Sequence, residues 1–180
     1  VFQQNHMNNL QGNFGIGHVR YPTAGGIGKE FAQPMYVNTP YGISLAHNGN
    51  LTNSKKLAAE LFHAERRHIN TNSDSEVLLN IFALELSKQE AVFPKPKDFF
   101  AAVEKTHLRI NGAYAVVALI TGYGIVAFRD PLGIRPLTIG VRKGKNRNEY
   151  VVSSETALFS ATGFKVLRDV EPGEAVFIDN

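Results

Sequence analysis

The 180-residue chain contains no cysteine. It can therefore form no disulfide and no thiolate metal site, and it carries no thiol nucleophile of its own. Long apolar runs are also missing, since the longest, residues 113–121, has the length of a strand and is followed by a glycine. Such a run is too short to cross a membrane, and the chain shows no signal-peptide pattern. We therefore predict a cytoplasmic protein with no membrane partner.

Charge of one sign is not concentrated anywhere in the chain. The net charge is +3 and the isoelectric point about 9.2, but the basic residues occur in pairs such as Lys55-Lys56 and Arg66-Arg67, with acidic residues between them. This spacing is typical of solvated surfaces rather than of a nucleic-acid footprint. We predict no nucleic-acid partner.

Several common catalytic motifs are absent. The chain has no Gly-x-Ser-x-Gly elbow, no Walker-type phosphate loop and no His-Glu-x-x-His helix. Its six histidines show no metal-ligand spacing, so we predict no metal site and no cofactor within this chain.

The pattern of apolar residues predicts an α+β domain. Helical spacing occurs over residues 54–67 and 70–87 and in a helix capped by Asp98, while Ser73 and Glu76 form a capping-box pattern for the second helix. That helix is apolar nearly all round, which is typical of burial between layers. A short helix is predicted over residues 157–162, and short turns favour antiparallel sheets with helices layered outside them. The predicted strands are residues 13–21, 33–37, 43–46, 113–120, 124–129, 137–142, 150–153, 164–168 and 174–178.

Residues 41–53 (Tyr-Gly-Ile-Ser-Leu-Ala-His-Asn-Gly-Asn-Leu-Thr-Asn) hold the most informative local pattern. A strand is predicted to end in a tight turn at Asn48 and Gly49, and N-cap residues then start a helix. The Asn-Gly pair is also the strongest hairpin pattern. Gly49 can adopt positive φ, and its N–H together with the Asn48 carboxamide could give two donors to a developing oxyanion.

A polar set at the ends of elements suggests an amino-acid pocket. Arg20 could hold a carboxylate, Asp74 an ammonium group, and Asn48 with Gly49 an oxyanion. Each also has a structural interpretation: Arg20 as a surface arginine, and Asp74 as a carboxylate that favourably meets a helix dipole. The sequence alone leaves open whether the four residues converge.

Four segments carry a family resemblance that runs along nearly the whole chain. They are residues 17–25 (Gly-His-Val-Arg-Tyr-Pro-Thr-Ala-Gly), 46–53 (Ala-His-Asn-Gly-Asn-Leu-Thr-Asn), 71–76 (Thr-Asn-Ser-Asp-Ser-Glu) and 129–137 (Arg-Asp-Pro-Leu-Gly-Ile-Arg-Pro-Leu). Together they resemble the glutaminase domain of the amidophosphoribosyltransferase family. That family belongs to the class II glutamine amidotransferases, which have an N-terminal nucleophile and a four-layer αββα sandwich. The resemblance implies the same fold here, as a partial domain over residues 1–180 that is incomplete at its N-terminus.

The resemblance also implies roles for single residues. Arg20 would bind the α-carboxylate of L-glutamine and Asp74 its α-ammonium group, Asn48 and Gly49 would form the oxyanion hole, and Thr23 would line the pocket. In this family an N-terminal cysteine attacks the amide and its own α-amine is the base. Ammonia then passes to a phosphoribosyltransferase domain in the same polypeptide, for which magnesium is expected. The resemblance further implies a homo-oligomer and a role in purine biosynthesis.

One departure from the family is severe, because the nucleophilic cysteine is not in this chain. The chain alone is therefore expected to be inactive as a glutaminase. Two alternatives remain: a non-catalytic amino-acid-binding or assembly module of the same fold, and an amidotransferase domain for another acceptor such as fructose 6-phosphate. Arg129, Asp130 and Arg135 are predicted to serve the fold, with an Asp-Arg pair beside a turn at Pro131 and Gly133.

Overall fold

A computed structural model describes residues 3–19, 28–89 and 91–179. The helices are α1 (Gln4–Asn9), α2 (Ser54–His63), α3 (Asp74–Ser87), α4 (Pro96–Arg109) and α5 (Ala157–Thr162). The strands are β1 (Met35–Val37), β2 (Ile43–Leu51), β3 (Gly112–Ile120), β4 (Gly124–Arg129), β5 (Thr138–Lys143), β6 (Asn148–Ser153), β7 (Lys165–Asp169) and β8 (Ala175–Asp179).

The strands form two antiparallel sheets. The first has five strands in the order β1-β2-β3-β4-β8, and the second has three in the order β6-β5-β7. For the pairs β1-β2, β3-β4 and β5-β6, antiparallel pairing follows from their short connections, which cannot cross over a sheet. This confirms the α+β class.

Alternation along β3 places the first sheet between two apolar layers. Tyr114 and Val116 belong to the core that the helices cover, whereas Ala115 and Val117 pack with residues of the second sheet. Successive side chains of a strand point to opposite faces, so a strand buried on both faces is apolar throughout. The first sheet is therefore an inner layer.

The helices supply the two outer layers. Helix α3 is buried over nearly its whole length and packs against β1 and β2 of the first sheet and against α2 and α4. On the far side, the buried ring of Phe159 in α5 lies against Gly140 of β5, where an added Cβ would be 3.0 Å from the ring. The layers are thus helix, sheet, sheet, helix, which confirms the predicted αββα sandwich. Within the described ranges, no helix has the length and apolar character needed to span a membrane.

Three local predictions are wrong. Residues 13–19 form no strand, although half-buried and exposed residues alternate there as in a strand and Val19 is 93% exposed. Alternating burial produces a strand only where a neighbouring strand supplies the backbone hydrogen bonds. Residues 20 and 21 lie outside the described residues. Asn48 and Gly49 form no turn, because β2 continues to Leu51 along β3.

The third error concerns the start of α3. The Ser73 side chain accepts from the Ser75 N–H, but Glu76 does not complete the predicted capping box. Its carboxylate instead accepts the backbone and side-chain donors of Asn70 and Thr71, at 2.7–2.9 Å. Burial raises the pKa of Glu76, but these hydrogen bonds outweigh it and the pKa lies below its ordinary value. The carboxylate therefore organises the loop that leads to Asp74.

Candidate active site

Asn48 lies on the face of the first sheet that is turned toward the second. Its partner across the ladder is Ala115, which packs in the core between the sheets. Directly opposed residues in an antiparallel pair share a face. The carboxamide of Asn48 therefore points between the sheets, and its Oδ1 accepts a hydrogen bond from Nη2 of Arg135 at 2.6 Å.

Arg135 decides which end of that carboxamide is presented. A guanidinium group only donates, so the atom that faces it must be the oxygen of Asn48. The Nδ2 of Asn48 is then left as a donor, and it makes no hydrogen bond within the described part of the chain. This is the orientation that an oxyanion donor requires.

Gly49 is fixed by its position inside the sheet rather than by a turn. Its φ is +150° and it pairs with Tyr114 of β3. A Cβ at this position would be 2.0 Å from the carbonyl oxygen of Ala113, so only glycine fits. The predicted positive φ is confirmed, although the predicted turn is not.

Asp74 begins α3 and is joined to the same strand. Its Oδ2 accepts the backbone N–H of Leu51 at 2.9 Å. A carboxylate in the first turn is also stabilised by the helix dipole. The other oxygen, Oδ1, accepts no hydrogen bond from a residue that the structure describes. Asp74 thus keeps an anionic acceptor available beside the strand that carries Asn48.

A buried network next to Asp74 was not anticipated from the sequence. His47 is 3% exposed, and its Nδ1 lies 3.1 Å from Oγ of Ser75, which also accepts from Nε2 of Gln33 at 3.1 Å. The Gln33 Oε1 accepts the His47 N–H at 2.7 Å. These bonds tie β2 to the first turn of α3 and so position Asp74. One sequence pattern could have indicated these hydrogen bonds. His47 is a polar residue on a strand face that otherwise carries apolar residues such as Leu45 and Leu51.

The imidazole of His47 is electrically neutral at neutral pH. Its pKa is lowered to about 4, mainly by burial and also by the charges of His18 and Arg135, which together outweigh the opposite effect of the Asp74 charge. Its Nε2 is buried without a hydrogen-bond partner among the described residues. His47 is therefore a neutral structural residue that links β2 to α3, and not a cationic acid.

The predicted Asp-Arg pair beside the turn of residues 130–133 is wrong. Asp130 is 0% exposed and accepts the backbone N–H groups of residues 132, 134 and 135 at 3.0–3.2 Å. Arg129 donates to the backbone carbonyl groups of residues 133, 135 and 170. Both side chains therefore brace the backbone, as the structural interpretation required, but they do so separately. The side chain of Arg135 does not pair with Asp130 but donates to Asn48.

One cavity collects these groups. It has a volume of about 2160 Å³ and is lined by, among others, His18, Asn48, Gly49, Asp74 and Arg135. Three of the predicted site residues, Asn48, Gly49 and Asp74, thus face a common space. The other two, Arg20 and Thr23, lie outside the described residues.

Residues 27–161 match the family described as "Glutamine amidotransferase domain". The chain belongs to this family. Its amidotransferase sequence is 57% identical over 178 residues to an amidophosphoribosyltransferase of Pseudomonas aeruginosa and 58% identical over 179 residues to that of Escherichia coli. The Schizosaccharomyces pombe amidophosphoribosyltransferase is 48% identical. Each alignment covers 99% of this chain but only 33–36% of the relative, so the chain spans about a third of their length.

Solved structures agree with this amidotransferase assignment. The glutamine phosphoribosylpyrophosphate amidotransferase of B. subtilis, complexed with ADP and GMP, superposes with a TM-score of 0.70 at 34% identity and covers 91% of this chain and 32% of that one. A Pseudomonas aeruginosa protein described as a predicted glutamine amidotransferase gives a TM-score of 0.55 at 14% identity, covering 84% and 63%. The second likeness shows the fold alone.

Proposed function

We propose that this chain is part of the glutaminase domain of an amidophosphoribosyltransferase, which takes ammonia from L-glutamine to make 5-phosphoribosylamine in purine biosynthesis. The observation that carries the proposal is the Asn48 carboxamide, held by its oxygen so that its N–H donors face the cavity that Asp74 also lines. The identity to amidophosphoribosyltransferases over 99% of the chain supports the choice of acceptor over fructose 6-phosphate.

The site would work by stabilising charge on the amide carbonyl. A nucleophile attacks the side-chain carbonyl carbon of glutamine, and the oxygen that becomes negative is met by Nδ2 of Asn48 and the N–H of Gly49. Collapse of this intermediate expels ammonia and leaves an acyl group on the nucleophile, which water then hydrolyses to glutamate. The nucleophile would be an N-terminal cysteine with its own α-amine as base, outside this chain.

The spacing along β2 suits the length of glutamine. Asn48 lies three residues before Leu51, whose N–H holds Asp74. At a strand rise of about 3.3 Å per residue this separation is about 10 Å, which is of the order of an extended glutamine with a hydrogen bond at each end. Asp74 would bind the α-ammonium group, Arg20 the α-carboxylate, and Thr23 would line the pocket.

The remaining parts of the reaction are assigned beyond this chain. The relatives are about three times as long, and the proposal places a phosphoribosyltransferase domain, with its magnesium, in the same polypeptide. We also propose that the full-length protein is cytoplasmic and forms a homo-oligomer. Transfer of ammonia within one polypeptide avoids its loss to solvent.

The proposal is tested on the full-length protein that contains this chain. Glutamate release from glutamine and ammonia-supported formation of phosphoribosylamine are measured for the wild type, Asn48→Ala and Asp74→Asn. We expect Asn48→Ala to lower kcat for glutamate release by about 100-fold or more, as for loss of an oxyanion donor. Asp74→Asn keeps the acceptor for the Leu51 N–H but removes the charge, so we expect it mainly to raise KM for glutamine.

Both variants should retain the ammonia-supported reaction, because that reaction bypasses glutamine. A folded wild-type protein that binds glutamine without releasing glutamate would refute the proposal and favour the binding-module alternative. Glutamate release without phosphoribosylamine formation would refute the proposed acceptor.

A further inference from the structure

We propose that Arg135 is a positioning residue of the glutaminase site, which fixes and polarises the Asn48 carboxamide for oxyanion stabilisation. This inference rests on the proposed function. It adds a residue from the connection between β4 and β5, which is 87 residues away from Asn48 in sequence.

The Asn48 carboxamide needs such a restraint. The last torsion of an asparagine side chain has a broad, roughly two-fold energy profile. Without a partner, the carboxamide could therefore present either its oxygen or its nitrogen to the substrate. The 2.6 Å bond from the Arg135 guanidinium removes that ambiguity, because only the oxygen can accept it. A charged donor also withdraws electron density from the amide, which makes the opposite N–H groups better donors.

Arg135 is itself held at both of its peptide groups. Its backbone N–H donates to Oδ2 of the fully buried Asp130 at 3.0 Å, and its carbonyl oxygen accepts from Nε of Arg129 at 2.5 Å. Arg129 is anchored in turn to the carbonyl oxygen of Val170 at 2.9 Å. The guanidinium therefore projects from a turn that is held by several hydrogen bonds and directly follows β4, a strand of the same sheet as β2.

The donor pattern of Arg135 argues against a merely structural role. Its Nε is buried and has no hydrogen-bond partner among the residues that the structure describes. Leaving a buried donor unpaired is unfavourable, so a side chain that served only the fold would be expected to use it. The half-buried guanidinium also adds positive charge beside the cavity, near the point where negative charge develops.

Asn48 and Arg135 belong to distant segments of the structure. Asn48 lies in β2, and Arg135 lies in the connection from β4 of the first sheet to β5 of the second. The contact between them therefore exists only once the tertiary structure has brought this connection to β2.

The test is a double-mutant cycle in the full-length protein, with glutamate release from glutamine as the readout. The variants are Arg135→Gln, Arg135→Lys, Asn48→Ala and the double variant Arg135→Gln/Asn48→Ala. Arg66→Gln is the matched control, since Arg66 is exposed and is not among the residues that line the cavity. Thermal unfolding is recorded for every variant.

We expect Arg135→Gln to lower kcat by about 10- to 100-fold, somewhat less than outright loss of a donor, with KM for glutamine changed less than about threefold. Arg135→Lys retains a charged donor without the planar fork and should recover part of kcat. In the Asn48→Ala background, Arg135→Gln should have no further effect on kcat, because its target is gone. Arg66→Gln should match the wild type.

Three results would overturn the inference: an unchanged kcat in Arg135→Gln, equal losses of kcat from Arg135→Gln with and without Asn48, or a loss that falls entirely on KM. If Arg135→Gln fails to fold, Arg135→Lys and its double variant with Asn48→Ala decide by the same criteria. An inactive wild type would instead overturn the proposed function, and this inference with it.

Discussion

His47 should make the stability of this protein depend on pH between about 4 and 6.5. The imidazole is almost completely buried between β2 and α3, and burial lowers its pKa from 6.5 to about 4. Below pH 6.5 the unfolded chain takes up a proton at this residue that the folded protein does not bind. The contribution of His47 to stability is therefore fully present above pH 6.5 and is lost as the pH falls toward 4.

The size of the effect follows from the difference between the two pKa values. At about 1.4 kcal/mol per pKa unit, a fall from 6.5 to about 4 corresponds to about 3 kcal/mol of unfolding free energy. Domains of this kind are stable by only about 5–15 kcal/mol. Between pH 7 and pH 5 alone, the loss should be about 2 kcal/mol.

Urea unfolding at pH 7, 6 and 5 measures this loss for the wild type and for His47→Gln. Glutamine can still bond to Ser75 but does not titrate in this range. Between pH 7 and pH 5, the unfolding free energy of His47→Gln should therefore fall by about 2 kcal/mol less than that of the wild type. The lowered pKa values of the carboxylates of Glu76, Asp130 and Glu174 act only below about pH 4.5, outside the measured range. The surface variant His63→Gln is the control. Parallel stability profiles for wild type and His47→Gln would refute the argument.

Two further stability predictions concern the backbone around the site. Gly49→Ala should destabilise the protein by about 2–5 kcal/mol in urea unfolding, because the added Cβ would overlap the Ala113 carbonyl and the φ of residue 49 is unfavourable for alanine. The control is Gly17→Ala, which has open space around the added Cβ and should change the unfolding free energy by less than about 1 kcal/mol. Equal effects of the two substitutions would contradict the prediction. Asp130→Ala should lower the unfolding free energy by about 2–4 kcal/mol, because three backbone N–H groups lose their acceptor. An unchanged melting curve for Asp130→Ala would show that the turn does not depend on that carboxylate.

The local conformation expected for Asn48 and Gly49 differs from the one in the structure. Local chemistry favoured a turn at this Asn-Gly pair. In the structure, pairing of Gly49 with Tyr114 extends the strand through both residues. Tertiary hydrogen bonds along β3 therefore overrode a short-range preference. Glycine is still required, but because of the close approach of a neighbouring strand.

The sequence by itself determined the elements whose side-chain period is strong. β4 occupies residues 124–129 and α5 residues 157–162, as the apolar patterns predicted, and α3 is buried all round as its composition indicated. Such patterns suffice because the burial of each residue in a regular element follows from its own period. They also sufficed to predict the layered α+β class.

Only the tertiary structure decided which polar groups meet. Nothing in residues 129–137 indicates that Arg135 reaches Asn48, and nothing in residues 46–53 indicates that His47 joins Gln33 and Ser75. These contacts link residues 14–87 positions apart, and their geometry is set by how two sheets and a helix stack. The local sequence does not predict that stacking, because each of these polar residues could equally well be a solvated side chain.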